Sequence, residues 1–105
     1  MESIILNLIT NSGEAKSLAM EAIAFSKVKQ FEQAYDALEK ATKCLGLAHK
    51  SQTALIQAEA GGQQTELSML LIHAQDHLMN AMTTKDLATE MVALYELVFN
   101  KLGEV

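Results

Sequence analysis

The stretch Leu67-Ser68-Met69-Leu70-Leu71-Ile72-His73-Ala74-Gln75-Asp76-His77-Leu78-Met79-Asn80-Ala81-Met82 contains neither glycine nor proline, and its apolar residues do not keep to one side of a helix. At about 100° per residue, Leu70, Leu71, Ile72, Ala74, Leu78, Met79, Ala81 and Met82 cover most of the circle, and Met69 adds to it. A helix that is apolar nearly all round is buried nearly all round. Neighbours within one small chain each cover only one groove of it. The remainder must meet other subunits, so the pattern predicts an obligate oligomer with this helix inside.

Two more helices precede it. The first is predicted from about Ser3 to Lys27, with Ser3 as N-cap. Its stripe is Ile5, Leu8, Ile9, Ala15, Ala19, Ala22, Ile23 and Ser26, at i, i+3, i+4, i+7 spacing. Asn11-Ser12-Gly13 interrupts that stripe and reads as a helix-interior glycine where another backbone comes close, at a cost of about 1 kcal/mol against alanine. The second helix is predicted over 30–60, with Phe31, Ala34, Tyr35, Leu38, Ala41, Leu45, Ala48, Gln52 and Leu55 on one side. It stops at Gly61-Gly62, since the position after a helix favours a residue for which left-handed backbone is cheap. The third is predicted over 65–102, with Thr65 as N-cap and a length above roughly 40 Å at about 1.5 Å per residue. The link near Lys29 is weakly marked. One all-α domain over 1–105 is the resulting expectation.

Composition narrows the class of function. The chain has 105 residues, 50% of them apolar, with no proline and five glycines. Ala, Leu, Met, Glu, Gln and Lys dominate, and these favour helices. Eight lysines stand against thirteen acidic residues, for a net charge of −5, which argues against nucleic acid as a partner. No run reaches the roughly 18 apolar residues of a membrane span. The N-terminal MESIILNLIT carries Glu2 where a signal peptide carries a basic residue. Cys44 is a single cysteine and reads as a core or half-buried thiol. A cytoplasmic protein is expected.

Within the apolar stretch runs one polar stripe: His73, Asp76, His77 and Asn80, continued by Thr84. Spacings of three and four place these residues on one face. Burying an imidazole or a carboxylate without a partner costs several kcal/mol, so the stripe needs a reason. Three stay open. A satisfied polar network can fix register between helices. His73 and His77, at i and i+4, can form a metal pair with Asp76 as an oxygen ligand and serve a metal-dependent hydrolase; the HExxH order is absent and a further ligand is needed. Or one imidazole can act as a nucleophile toward phosphorus, its second nitrogen held by an acceptor. The chain has no GxxxxGK[ST] loop for a nucleotide, so its phosphate would come from another protein. A non-catalytic helical interaction module is the plainest alternative.

The string Ile72-His73-Ala74-Gln75-Asp76-His77-Leu78-Met79 resembles the signature of the lactose/cellobiose family of enzyme IIA components of the phosphoenolpyruvate-dependent sugar phosphotransferase system. Ala48-His49-Lys50-Ser51-Gln52-Thr53 is similar to that family's AHxxQT segment, and Glu59-Ala60 with a following glycine, and Leu94-Tyr95-Glu96, extend the likeness through most of the chain. The resemblance implies an antiparallel three-helix bundle that assembles into a nine-helix trimer. It implies that His73 accepts phosphate from HPr and passes it to a cysteine of a IIB component, which phosphorylates a β-linked disaccharide during transport through the membrane IIC. Contact with the membrane is then indirect. It implies that Asp76 and its two symmetry mates hold a divalent metal, magnesium, one per trimer on the three-fold axis; a hard cation relieves the repulsion among converging carboxylates. HAQDH is closer to the cellobiose or diacetylchitobiose branch than to the lactose branch.

Gln75 and His77 are the residues expected to orient or stabilise the phosphohistidine. They project about 160° apart on an ideal helix, so His77 is expected to make the direct contact and Gln75 to act across a subunit boundary. His49 reads as a solvated or packing residue, and Met69, Met79, Met82 and Met91 as adaptable core or interface.

Overall fold

The computed structural model describes residues 2–63 and 67–103. They form three helices: α1 (Glu2–Lys27), α2 (Phe31–Ala60) and α3 (Met69–Gly103). The molecule is a rod of 63 × 20 × 16 Å. Among the described residues there is no strand, and no helix is long and apolar enough to cross a membrane.

The predicted stripe of α1 is the buried one. Ile5, Leu8, Ala15, Ala19, Ala22 and Ser26 are buried, with Ile9 and Ile23 half-buried beside them. The helix runs without a break through Asn11-Ser12-Gly13. Helix α1 starts at Glu2, one residue before the expected N-cap, so Ser3 lies in its first turn. On α2, Ala34, Leu38, Ala41, Leu45, Ala48 and Leu55 are buried, joined by Ala37. Tyr35, expected inside, is exposed and donates a hydrogen bond to Glu96 Oε1 of α3 at 2.7 Å.

Two core clusters fill the rod. One joins Ile5, Leu8 and Ala15 of α1 to Leu45, Ala48 and Leu55 of α2 and Ala74, Leu78 and Ala81 of α3. The other joins Ala19 and Ala22 to Ala34, Ala37 and Leu38, and to Ala88 and Val92. The start of α1 thus meets the end of α2 and the start of α3, an up-down-up order. Alanine supplies half or more of each cluster, and small side chains let helix axes approach closely. Leu78 is fully buried among them; its truncation to alanine belongs to the class costing about 2–5 kcal/mol. Ser12 is also fully buried, and its hydroxyl has no hydrogen-bond partner among the described residues.

Helices α1 and α2 end in the same way. After α1, Gln30 N–H donates to Phe25 O at 2.9 Å and Lys29 N–H to Ser26 O at 3.2 Å. After α2, Gln63 N–H donates to Ala58 O at 3.0 Å and Gly62 N–H to Glu59 O at 3.1 Å. These are paired 6→1 and 5→2 bonds around a left-handed residue. At the second turn that residue is Gly62, φ +96°; at the first it is Lys29, φ +64°. The first turn was weakly marked because a lysine occupies the position that glycine usually signals. Lys29 Nζ lies 5.0 Å from the centre of the Phe99 ring, a cation–π contact that offsets part of the backbone strain.

Thr65 lies outside the described residues. The first turn of α3 is capped by Ser68, whose Oγ accepts from Leu71 N–H at 3.1 Å, the bond that satisfies one of the open donors at a helix start.

Candidate functional site

Helix α3 turns Ala74, Leu78, Ala81, Ala88 and Val92 toward the other two helices. The polar stripe lies beside that face. His73, Asp76 and Asn80 are exposed in the single chain, and His77 and Thr84 are half-buried. One chain therefore does not bury the stripe. Its concealment would require further subunits, as the all-round apolar pattern implies.

Three contacts run along the stripe. The His73 and His77 rings stack, with centroids 5.5 Å apart and planes 19° apart. Asn80 Nδ2 donates to Asp76 Oδ2 at 3.2 Å, and Thr84 Oγ1 donates to the Asn80 carbonyl at 2.7 Å. Each contact spans one helical turn, where side chains are neighbours.

Gln75 and His77 face different helices. Gln52 Nε2 of α2 donates to Gln75 Oε1 at 2.8 Å. His77 leans on α1: a Cβ built at Gly13 would lie 3.3 Å from His77 Nε2. The close approach expected at Gly13 is real, but a side chain makes it rather than a backbone. Of the proposed pair, His77 is brought against His73 within the chain and Gln75 is not. Gln52 is the partner that sequence reasoning missed as part of the site; its place in Ala48–Thr53 was the available signal. His49 is exposed on α2.

No three His, Cys, Asp or Glu side chains among the described residues are grouped to hold a metal. Near-parallel stacking of His73 and His77 also differs from the convergence of two ring nitrogens on one ion at about 2.0–2.1 Å. The donor set of one chain thus gives a metal-hydrolase centre no support. Cys44 is half-buried, and burial, then the nearby Glu14, push its thiol above the ordinary value; such a thiol is a weaker nucleophile source than a thiolate-forming one.

Residues 3–96 match the family described as the PTS system lactose/cellobiose-specific IIA subunit. The lichenan-specific phosphotransferase enzyme IIA component of Bacillus subtilis is 50% identical over 103 residues, covering 98% of this chain and 94% of its own length. The crystal structure of the PTS cellobiose-specific enzyme IIA from Bacillus anthracis superposes with a TM-score of 0.93 at 52% identity, over 95% of this chain and 92% of that one. The IIA(Chitobiose) chain of the Escherichia coli IIA(Chitobiose)–HPr complex superposes with a TM-score of 0.80 at 38% identity, over 92% and 94%. An all-α bundle with these relatives is a phosphotransferase-system component that transfers phosphoryl groups in sugar uptake. The chain belongs to the lactose/cellobiose-specific IIA family.

Proposed function

We propose that His73 is the phosphoryl carrier, loaded by phospho-HPr and unloaded by a cysteine of a cognate IIB component. The carrying observation is an imidazole that is exposed to partners on one side and stacked on a second imidazole on the other. Among the described residues neither nitrogen of His73 is hydrogen-bonded, so a ring lone pair is open to an incoming phosphorus. In the first step that lone pair forms the N–P bond as the bond from phosphorus to HPr breaks. In the second a IIB thiolate forms the S–P bond, the N–P bond breaks, and its electrons return to the ring. His77 stands one turn away, where a ring N–H can meet a phosphate oxygen. The sugar, a β-linked disaccharide, is phosphorylated by IIB and IIC and never meets this chain. HPr as donor accords with the relative solved in complex with it. The work is placed in the cytoplasm, with membrane contact only through IIC.

The assembled form is a trimer built on α3. Ile72, Met79, Leu87, Leu94 and Leu97 are each half or more exposed, an unusual apolar load for a monomer surface. With Asp76, Thr83 and Glu90 they follow three- and four-residue steps down one side of α3, the seam of a coiled coil. Asp76 lies in that seam. Three copies would converge there, and oxygen donors suit a hard cation such as magnesium. Asp76 Oδ2 is engaged by Asn80 while Oδ1 has no partner among the described residues, which fits a carboxylate with one oxygen to give. The ion would supply charge neutralisation at the axis, leaving His73 to the flank.

Incubation with phosphoenolpyruvate, enzyme I and HPr tests the assignment. One acid-labile phosphate per chain is expected, and none in His73→Ala. Normal phosphorylation of His73→Gln would refute the site.

A further inference from the structure

We propose that Gly13 is a positioning residue for phosphotransfer, acting on His73 through His77; the proposal rests on His73 being the phosphoryl carrier. Gly13 lies in the middle of α1 and the helix passes through it unbroken. Its backbone is not left-handed, so no torsion demands glycine there. Glycine in a helix interior is unfavourable relative to alanine. Space is the remaining reason. A methyl group at position 13 would sit 3.3 Å from His77 Nε2, tighter than ordinary contact, and beyond the adjoining turn of α1 no other atom of the described residues lies within 4 Å of it. Gly46, interior to α2, has no atom of the described residues beyond its own adjoining turn within 4 Å of its Cβ position, so the close approach belongs to Gly13 and not to helix glycines in general.

His77 has only packing to hold it. Among the described residues no hydrogen bond reaches either of its nitrogens; its Nε2 lies beside Gly13 of α1 and its ring is stacked on that of His73. A methyl at 13 displaces the His77 ring by a few tenths of an ångström. His77 is stacked on His73, which is exposed and has no hydrogen bond among the described residues, so a shift of one ring changes the setting of the other. The shift therefore arrives at the attacking nitrogen. In-line transfer is sensitive to such misplacement; about 1 Å costs on the order of 100-fold in rate.

The test compares Gly13→Ala with Gly46→Ala, each alone and the former also with His77→Ala. Both glycine variants make the same change in helix propensity, but only one touches the site. Gly13→Ala is expected to slow phosphorylation by phospho-HPr about 5–10-fold and to shift the His73 imidazole resonances in 15N–1H spectra. Gly46→Ala is expected to change neither. In the His77→Ala background, adding Gly13→Ala should have no further effect on rate. A wild-type rate in Gly13→Ala overturns the proposal, and so does an equal slowing with and without His77. If Gly13→Ala fails to fold, the His77→Ala double variant should restore folding by removing the clash; failure to do so shows that Gly13 serves α1 itself and also overturns it. Phosphorylation persisting in His73→Ala would instead strike the carrier assignment.

Discussion

The Gln52 carboxamide nitrogen donates to the Gln75 carboxamide oxygen at 2.8 Å, tying the middle of the HAQDH string to α2. The bond is part-buried and joins two neutral groups, so its net contribution is about 0.5–1.5 kcal/mol. A double-mutant cycle with Gln52→Ala and Gln75→Ala should return a coupling energy in that range by denaturant unfolding. A coupling near zero would show that the two side chains do not depend on each other. Gln52→Ala should also slow phosphotransfer by less than Gln75→Ala, because it only releases the side chain that the latter removes.

Lys29 holds left-handed backbone, φ +64°, where Gly62 holds the matching position of the other turn. Left-handed torsions cost an L side chain roughly 1–2 kcal/mol. Lys29→Ala keeps that strain and loses the contact with Phe99; it should destabilise the fold by about 0.5–1 kcal/mol. Lys29→Gly loses the same contact but relieves the backbone, so it should exceed the alanine variant by about 1 kcal/mol. Thermal unfolding of the three proteins checks the order.

The hydrogen bond to Glu96, then burial, then repulsion by the Glu96 charge hold the Tyr35 phenol above its ordinary value of 10.0. A raised folded value means that the protonated form is favoured by folding. The contribution is fully present below pH of about 10 and is lost as pH rises through the folded value. Tyr35 is 43% exposed, so solvent screening keeps the contribution under about 0.5 kcal/mol. The ultraviolet titration difference between wild type and Tyr35→Phe should place the Tyr35 midpoint above the ordinary value. The same difference taken in a Glu96→Gln background should return toward it. No movement on Glu96→Gln would refute the cause.

Asp76 tests the assembly. Asp76→Leu replaces converging charges with apolar packing, a change often neutral or stabilising. Sedimentation should show a trimer in the presence or absence of chelator for this variant, and a chelator-sensitive trimer for wild type. Wild-type protein that sediments as a monomer at micromolar concentration would remove the case for an α3 seam.

Most of the fold was legible along the chain. The α1 stripe, the α2 stripe and the stop at Gly61-Gly62 are local properties: a 3.6-residue period and a glycine that turns left-handed at little cost. The HAQDH string carried the family, and the wheel angle between Gln75 and His77 already forbade their sharing one phosphate from one chain. Ser68 as the cap of α3 was harder to read, because two hydroxyl residues, Thr65 and Ser68, precede that helix and spacing alone does not choose between them.

By itself the sequence determined three helices, the apolar stripes of α1 and α2, and that α3 carries more apolar surface than two neighbours can cover. Backbone geometry decides these things within a few residues. Only the tertiary structure decided that His77 rests on Gly13, that Gln75 is held by Gln52, and that Tyr35 reaches Glu96 across 61 positions. Such contacts depend on how three rods rotate and slide against one another. That is set by the packing of an alanine-lined core as a whole, and no local spacing encodes it.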